Sequence, residues 1–271
     1  MEIHGNWFFF DDGFRPASDF IDCTKQTQNR IYEVLRVVNG KVLFIADHLK
    51  RFQVSCKDIG LNHSYSDDFI DNVIRNTITK NNIAVCNIRF EVLVKENHLS
   101  FACFLVPWKY PPDSAYEYGV RLGGYEIERP NPHIKQSAVN NKVRLELSEL
   151  FSKHDYYEVL LINHNGYITE GSRSNVFFVK DQVLFSPPSE KMLEGITRKK
   201  VLELAGMHGI NYIEKDIPFA SAHTFDACFV TGTSPKILPV KSINEHEFDI
   251  PNAIVKQLMN LFDALIQRES S

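Results

Sequence analysis

Two hydrophobic rhythms alternate along the chain: short stretches of period two or unbroken apolar runs, and longer stretches in which apolar residues return every three or four positions. The first marks strands and the second amphipathic helices. Trp7-Phe8-Phe9-Phe10 reads as an early strand. Residues 31–38 and 41–45 flank Asn39-Gly40, a pair suited to the two positive-φ positions of a tight hairpin turn. Asp47 stands where a helix cap is expected. After it, Leu49, Phe52, Cys56 and Ile59 recur at helical spacing until Gly60 stops the run. A second helix is predicted over 67–79, with Ile70, Val73, Ile74 and Thr77 on one face. Residues 84–94 and 99–106 then form a strand pair turning at Glu96-Asn97-His98.

The segment Val106-Pro-Trp-Lys-Tyr-Pro-Pro-Asp-Ser114 interrupts both rhythms with three prolines. It divides the chain into an N-terminal domain over 1–110, a linker over 111–118 and a C-terminal domain over 119–271. The second part alternates again. Strands are predicted at 119–127, 157–163, 175–179, 182–186, 211–216, 226–231 and 236–241. Helices are predicted at 140–153, at 197–208 and after Pro251, the last carrying Ile254, Leu258, Leu261 and Leu265. The fold class is α/β.

With 271 residues, 44% hydrophobic and 24% charged, the chain has enough apolar material for a globular core. Its net charge of −4 argues against nucleic acid as a partner. Five scattered cysteines without a Cys-x-x-Cys pair fit reduced thiols and a cytoplasmic setting, not a disulfide frame or a metal site. The start Met-Glu-Ile-His-Gly-Asn carries no signal-peptide pattern. No apolar run reaches membrane-spanning length, so no membrane is expected as a partner. Without secretion, Asn62-His63-Ser64 is a chance match to a glycosylation site.

The chemistry gathers at a few places. Lys135 lies in Asn131-Pro-His-Ile-Lys-Gln-Ser137, ahead of a helix. A desolvated lysine can attack an aldehyde, although such a lysine taken alone reads as a surface residue. Glu170 follows a turn and precedes Gly171, which would let the backbone approach a flat ligand. Its carboxylate could keep a pyridine nitrogen protonated; taken alone it reads as a solvent-facing turn residue. Gly195-Ile196-Thr197-Arg198 opens a helix, where Thr197 could cap and donate to a phosphate. Thr231-Gly232-Thr233-Ser234 adds donors after an apolar strand, and Arg51 could add a bidentate contact.

Taken in order, Tyr32-Glu33-Val34, His48-Leu-Lys-Arg-Phe52, Ile134-Lys135, Gly166-Tyr-Ile-Thr-Glu-Gly-Ser-Arg-Ser-Asn175, Leu193-Glu-Gly-Ile-Thr-Arg198 and Thr231-Gly-Thr-Ser234 with Pro239-Val240 resemble the class IV aminotransferases, the fold-type IV enzymes of pyridoxal 5'-phosphate (PLP). The resemblance runs from about residue 30 to 243 and implies a small N-terminal α/β domain, a larger barrel-like C-terminal α/β domain and a homodimer. It implies that Lys135 is the Schiff-base lysine and that Glu170 pairs with the pyridine nitrogen. Arg51, Ile196, Thr197, Gly232 and Thr233 would hold the phosphate side, with Leu193 on a ring face. Tyr32, Arg89 and Ser234 would face the substrate.

The pattern departs in places. Gln28-Asn29-Arg30 replaces a glycine-containing turn. Asn140 stands where a tyrosine often bonds the cofactor's phenolic oxygen, and an amide could donate the same bond. Asn87 stands two positions before Arg89, where branched-chain enzymes carry a tyrosine; Arg89 reads equally as an outward strand arginine. Arg173 replaces a common serine and receives no role. No Arg-x-His pair occurs between 84 and 106, which counts against a D-amino acid substrate. The leading expectation is amino transfer between a branched-chain-like L-amino acid and a 2-oxo acid. The alternatives are an aminodeoxychorismate lyase-like enzyme releasing pyruvate, and a PLP-binding protein with little catalysis.

Overall fold

The computed structural model describes residues 3–25, 27, 29–95, 98–127, 133, 135, 141–250 and 252–271, and only the backbone of 141–145. The chain forms two compact units. One comprises Met1–Lys109, Ile134–Ala138 and Ile266–Ser271; the other comprises Tyr110–His133 and Val139–Leu265.

The first unit contains β1 (His4–Phe10), β2 (Gly13–Pro16), α1 (Phe20–Thr24), β3 (Asn29–Val38), β4 (Lys41–Val42), α2 (Ile45–Asp58), α3 (Asp67–Asn81), β5 (Cys86–Val94) and β6 (Leu99–Val106). Its strands form one antiparallel sheet in the order β2-β1-β6-β5-β3-β4. Successive side chains point to opposite faces. Ile31, Leu35 and Val37 of β3 therefore join Ile88, Phe90, Phe101 and Cys103 on one face, against Leu49, Phe52, Ile70 and Ile74 of α2 and α3. Burying each large apolar side chain contributes about 1.5–3 kcal/mol. On the other face, Phe20 of α1 packs edge-on against Phe8 and Phe104.

The hairpin turn has Asn39 and Gly40 at φ 52° and 74°, as its sequence requires. The expected strand over 41–45 stops at Val42, because Phe44 adopts φ 54° and starts α2 there. The cap position is thus Phe44, without a side-chain bond, and not Asp47, which lies in the first turn. Ser66 caps α3, accepting from the Phe69 N–H at 3.2 Å, and Asn82 ends it at φ 50°.

The second unit contains α4 (Asp113–Tyr118), β7 (Val120–Glu126), α5 (Asn141–His154), β8 (Glu158–Ile162), β9 (Tyr167–Gly171), β10 (Asn175–Lys180), β11 (Val183–Ser186), α6 (Ile196–Met207), β12 (Tyr212–Glu214), β13 (Ile217–Pro218), β14 (Ala227–Gly232), β15 (Lys236–Ile243), β16 (His246–Glu247) and most of α7 (Ala253–Glu269). A mixed sheet runs β12-β11-β10-β14-β15-β7-β8-β9-β13, with β16 on β15. Leu122, Leu160, Ile168, Val176, Phe178, Val230 and Leu238 form its main core. Helix α6 packs against β14. Where a linker is expected over 111–118, residues 113–118 form α4, whose Tyr116 hydroxyl donates to the Pro235 carbonyl at 3.0 Å. Pro251 lies outside the described residues. Helix α7 is capped by Asn252, whose Oδ1 accepts from the Ile254 and Val255 N–H groups.

Candidate active site

The first unit builds a charged cluster inside an apolar face. Glu33 occupies a core position of β3, between Ile31 and Leu35, and is 1% exposed. A buried carboxylate must find cations and donors. Helix α2 supplies both one turn apart. Arg51 grips Glu33 with two bonds, Nε to Oε1 at 2.7 Å and Nη2 to Oε2 at 2.6 Å, and His48 Nδ1 lies 2.8 Å from Oε2. Burial alone pushes the Glu33 carboxyl up. The charges of Arg51 and Lys135 and the bonds from His48 and Arg51 override burial and hold it well below the usual carboxylate range. Burial lowers the His48 pKa, against the pull of Glu33, so the imidazole is neutral at pH 7 and its Nδ1–H faces the carboxylate.

Lys135 belongs to this cluster. Strand β4 pairs only with Val37 and Val38, at the far end of β3. Nearer the start of β3, the Tyr32 N–H donates to the Lys135 carbonyl at 3.2 Å, and the Lys135 amine lies 5.7 Å from the Tyr32 ring centroid. Tyr32 lies on the face opposite Glu33. Arg89 shares its face, because Val34 opposes Arg89 and Tyr32 opposes Glu91. The Arg89 guanidinium stacks 3.7 Å from the centroid of the Tyr32 ring. Arg89 is buried, which excludes the reading of an outward strand arginine.

The second unit builds a carboxylate beside a helix start. Glu170 lies on β9 and is 3% exposed, so it is not a solvent-facing turn residue. Its Oε2 accepts from the Leu193 N–H at 3.3 Å. Asn175, at the start of β10, donates to the Leu193 carbonyl at 2.8 Å and so holds the same residue from its other side. Asn175 opposes Thr231 of β14, which links Glu170, Leu193 and the Thr231–Ser234 turn through one residue. Gly171 is needed for a reason other than ligand approach. A Cβ there would lie 2.0 Å from Glu158 Oε1 and 2.2 Å from Ser174 Oγ. Ser174 donates to Glu158 at 2.6 Å, and Arg173 reaches both Glu158 and the Tyr157 carbonyl, which gives Arg173 a local structural role. Burial raises the Glu158 pKa, against Ser174 and Arg173.

Helix α6 begins at Ile196 with Gly195 as its cap, a residue that makes no side-chain cap bond. Thr197 is therefore not the cap but the second helical residue, and it is buried. Thr231 Oγ1 is buried and has no hydrogen-bond partner among the described residues. Uncapped N–H groups and an orphan hydroxyl suit a bound anion. Gly232, Thr233 and Ser234 continue from the end of β14. Arg198 is turned to another task, with Nη2 on Tyr212 Oη at 2.8 Å and Glu214 Oε1 at 2.6 Å. Burial and Glu214 push the Tyr212 phenol up to about 12. Burial would raise Glu214, but Tyr212, Ser189 and Arg198 bring it down to about 2. Asn140 lies outside the described residues.

Sequence reading assigned no role to Glu33, His48, Asn175, Glu158 or Glu91. Glu33 carried a signal, since it breaks the apolar phase of Ile31, Leu35 and Val37. Arg89 and Glu91 carried another, since two residues separated by one on a strand share a face. His48 and Asn175 lie within motifs that carry the family resemblance, and Glu158 carried no signal.

Residues 30–243 match the amino-transferase class IV family. The branched-chain-amino-acid aminotransferase of Escherichia coli K12 is 31% identical over 225 residues, covering 76% of this chain and 72% of that protein. The crystal structure of an Escherichia coli branched-chain amino acid aminotransferase has a TM-score of 0.87 at 24% identity, over 99% of this chain and 97% of that one. A Legionella pneumophila protein named as a candidate 4-amino-4-deoxychorismate lyase shares the fold with a TM-score of 0.75 at 21% identity, over 87% and 90%.

Proposed function

Because the chain belongs to the class IV aminotransferases, we propose that it is a PLP-dependent, homodimeric enzyme that moves an amino group between a branched-chain-like L-amino acid and a 2-oxo acid. The observation that carries this reading is the placement of Lys135, with its carbonyl on the Tyr32 N–H and its charge acting on Glu33. Each unit by itself carries groups suited to the cofactor: the Lys135 amine in the first, and the buried Glu170 carboxylate, the α6 start and the Thr231 hydroxyl in the second. When bound, PLP supplies an aldehyde that captures amines and a ring that withdraws electrons.

Each residue then has a task. Lys135 holds the cofactor and carries a proton to and from the substrate carbon. Glu170, positioned through Leu193, keeps a proton on the ring nitrogen. By the family resemblance, the Ile196 N–H, Thr197, Gly232, Thr233 and Arg51 would hold the phosphate, Leu193 would lie against the ring, and Asn140 would bond the phenolic oxygen. Tyr32, Arg89 and Ser234 face the substrate. The branched-chain preference is supported by the named activity of the Escherichia coli relative.

Incubation of the purified enzyme with leucine, isoleucine or valine, PLP and a 2-oxo acid tests this. Amino transfer is expected, and Lys135→Ala abolishes it together with the near-visible absorbance of lysine-bound PLP. Release of pyruvate from aminodeoxychorismate, with no transfer from any amino acid, would overturn the transaminase reading. Full activity in Lys135→Ala would overturn the site.

A further inference from the structure

The substrate-facing side of the first unit's sheet holds a charge arrangement that catalysis by Lys135 does not need. Glu91 is fully buried on β5, and two arginines share its carboxylate. Arg30 gives Nη1 to Oε1 at 2.9 Å and Nη2 to the Thr24 carbonyl at 3.0 Å, at the end of α1. Arg89 gives Nε to Oε2 at 2.7 Å, and its Nη2 meets the same oxygen. Arg89 also lies flat on Tyr32. One carboxylate therefore serves two cations, and the group keeps a net positive charge.

This arrangement decides what Arg89 can do. With Glu91 as its sole partner, Arg89 would form a neutral pair with little attraction left for a ligand. Arg30 cancels that carboxylate, so the charge of Arg89 remains available. Glu91 takes the Nε and Nη2 edge, and Tyr32 fixes the plane, so the remaining edge points one way without loss of rotamer freedom on binding. Tyr32 also lies 5.7 Å from the Lys135 amine, so amine and guanidinium cannot be farther apart than these two ring distances together. That is within reach of one small amino acid.

We propose that Arg30 and Glu91 are specificity-determining positioning residues. Glu91 aims Arg89, and Arg30 keeps the aimed guanidinium a net cation that receives a substrate carboxylate. The inference rests on the reading that Arg89 faces substrate. The carboxylate could be the one common to all amino acids or the distal one of a dicarboxylate, and the test separates the two.

The test is calorimetric binding of three inert ligands to the PLP-loaded protein: glutarate, 4-methylpentanoate and neutral 4-methylpentanamide. The variants are Arg30→Gln, Arg30→Lys and the double variant Arg30→Gln/Glu91→Gln. Arg30→Gln is expected to weaken carboxylate binding roughly tenfold and leave the amide unchanged. Loss for glutarate alone assigns the distal carboxylate; loss for both acids assigns the shared one. Arg30→Lys should retain binding, and the double variant should recover it, because removing both charges again leaves Arg89 a net cation. A merely structural role predicts no such recovery. Equal loss for acids and amide, no loss in Arg30→Gln, or no recovery in the double variant would overturn the proposal. If the wild type discriminates acid from amide but transfers no amino group, the proposed function fails while this inference stands.

Discussion

Replacing Glu33 with glutamine keeps the shape of the side chain and removes its charge. The folded protein would then hold Arg51 against a neutral amide in a face otherwise lined by Ile31, Leu35, Leu49 and Phe52. Removing one partner of a buried ion pair costs about 3–5 kcal/mol. The Arg51 side chain is 12% exposed, which moves the expected loss toward the lower end, about 3 kcal/mol at pH 7. That is a large share of a typical stability of about 5–15 kcal/mol. The pH dependence carries the mechanism. The folded pKa of Glu33 lies below its unfolded value, so its contribution is complete above about pH 4.3 and is lost as the pH falls. Below that point the gap between wild type and variant should close by up to about 1.4 kcal/mol per pH unit, or about 1.5 kcal/mol between pH 4.5 and 3. Urea unfolding followed by circular dichroism at a series of pH values measures it, since the other carboxyls titrate alike in both proteins and cancel. A gap that stays constant down to pH 3 would show that packing, not charge, sets the loss. A loss under about 1 kcal/mol at pH 7 would show that the Glu33–Arg51 pair is not a buried anchor.

Glu170→Gln should retain PLP but turn over at least roughly tenfold more slowly, because an amide cannot hold the ring proton; single-turnover absorbance measures it, and a wild-type rate would reduce Glu170 to a structural residue. Gly171→Ala places a Cβ 2.0 Å from Glu158 Oε1 and should cost about 1–3 kcal/mol in urea unfolding, whereas an unchanged midpoint would mean that the 171–174 turn yields freely. In an ultraviolet absorbance titration, one phenol should ionise only near pH 12, and Tyr212→Phe should remove that last step. An unaltered titration in the variant would show that the Arg198–Tyr212–Glu214 group does not hold the proton.

Rhythm made the long elements legible. Helices α2 and α3 and strands β5 and β6 carry many apolar positions in one phase, and they lie within a few residues of where the pattern puts them. The stretch from 11 to 30 was unreadable for the opposite reason. Its strand β2 and helix α1 have four and five residues, and α1 buries only Phe20 and Thr24, too few points to define a period. Strand β4 and the start of α2 were misplaced because Phe44 takes a left-handed φ, a conformation that a bulky residue rarely signals. At the site, the ordered motifs marked Lys135, Glu170 and the α6 start. They did not show that Thr197 is not the cap, because Ser, Thr and Gly are all plausible caps in sequence and the choice is made by where the first helical dihedral falls.

What no pattern carried is the state of the acids. Glu33, Glu91, Glu158 and Glu170 are all buried, and in sequence they are the same letter. Glu33 faces one arginine in two bonds, a histidine, and the charge of Lys135, and it is held ionised. Glu91 is divided between two arginines and leaves one of them in surplus. Glu158 has a hydroxyl and a distant, exposed guanidinium, so burial wins and its pKa rises. The deciding partners come from other strands, helices or loops: α2 for Glu33, Arg30 of β3 (beside Arg89 of its own strand β5) for Glu91, and the turn before β10 for Glu158. The proton affinities of Glu33 and Glu158 are therefore set by register and packing, and they become readable only once the strands are paired.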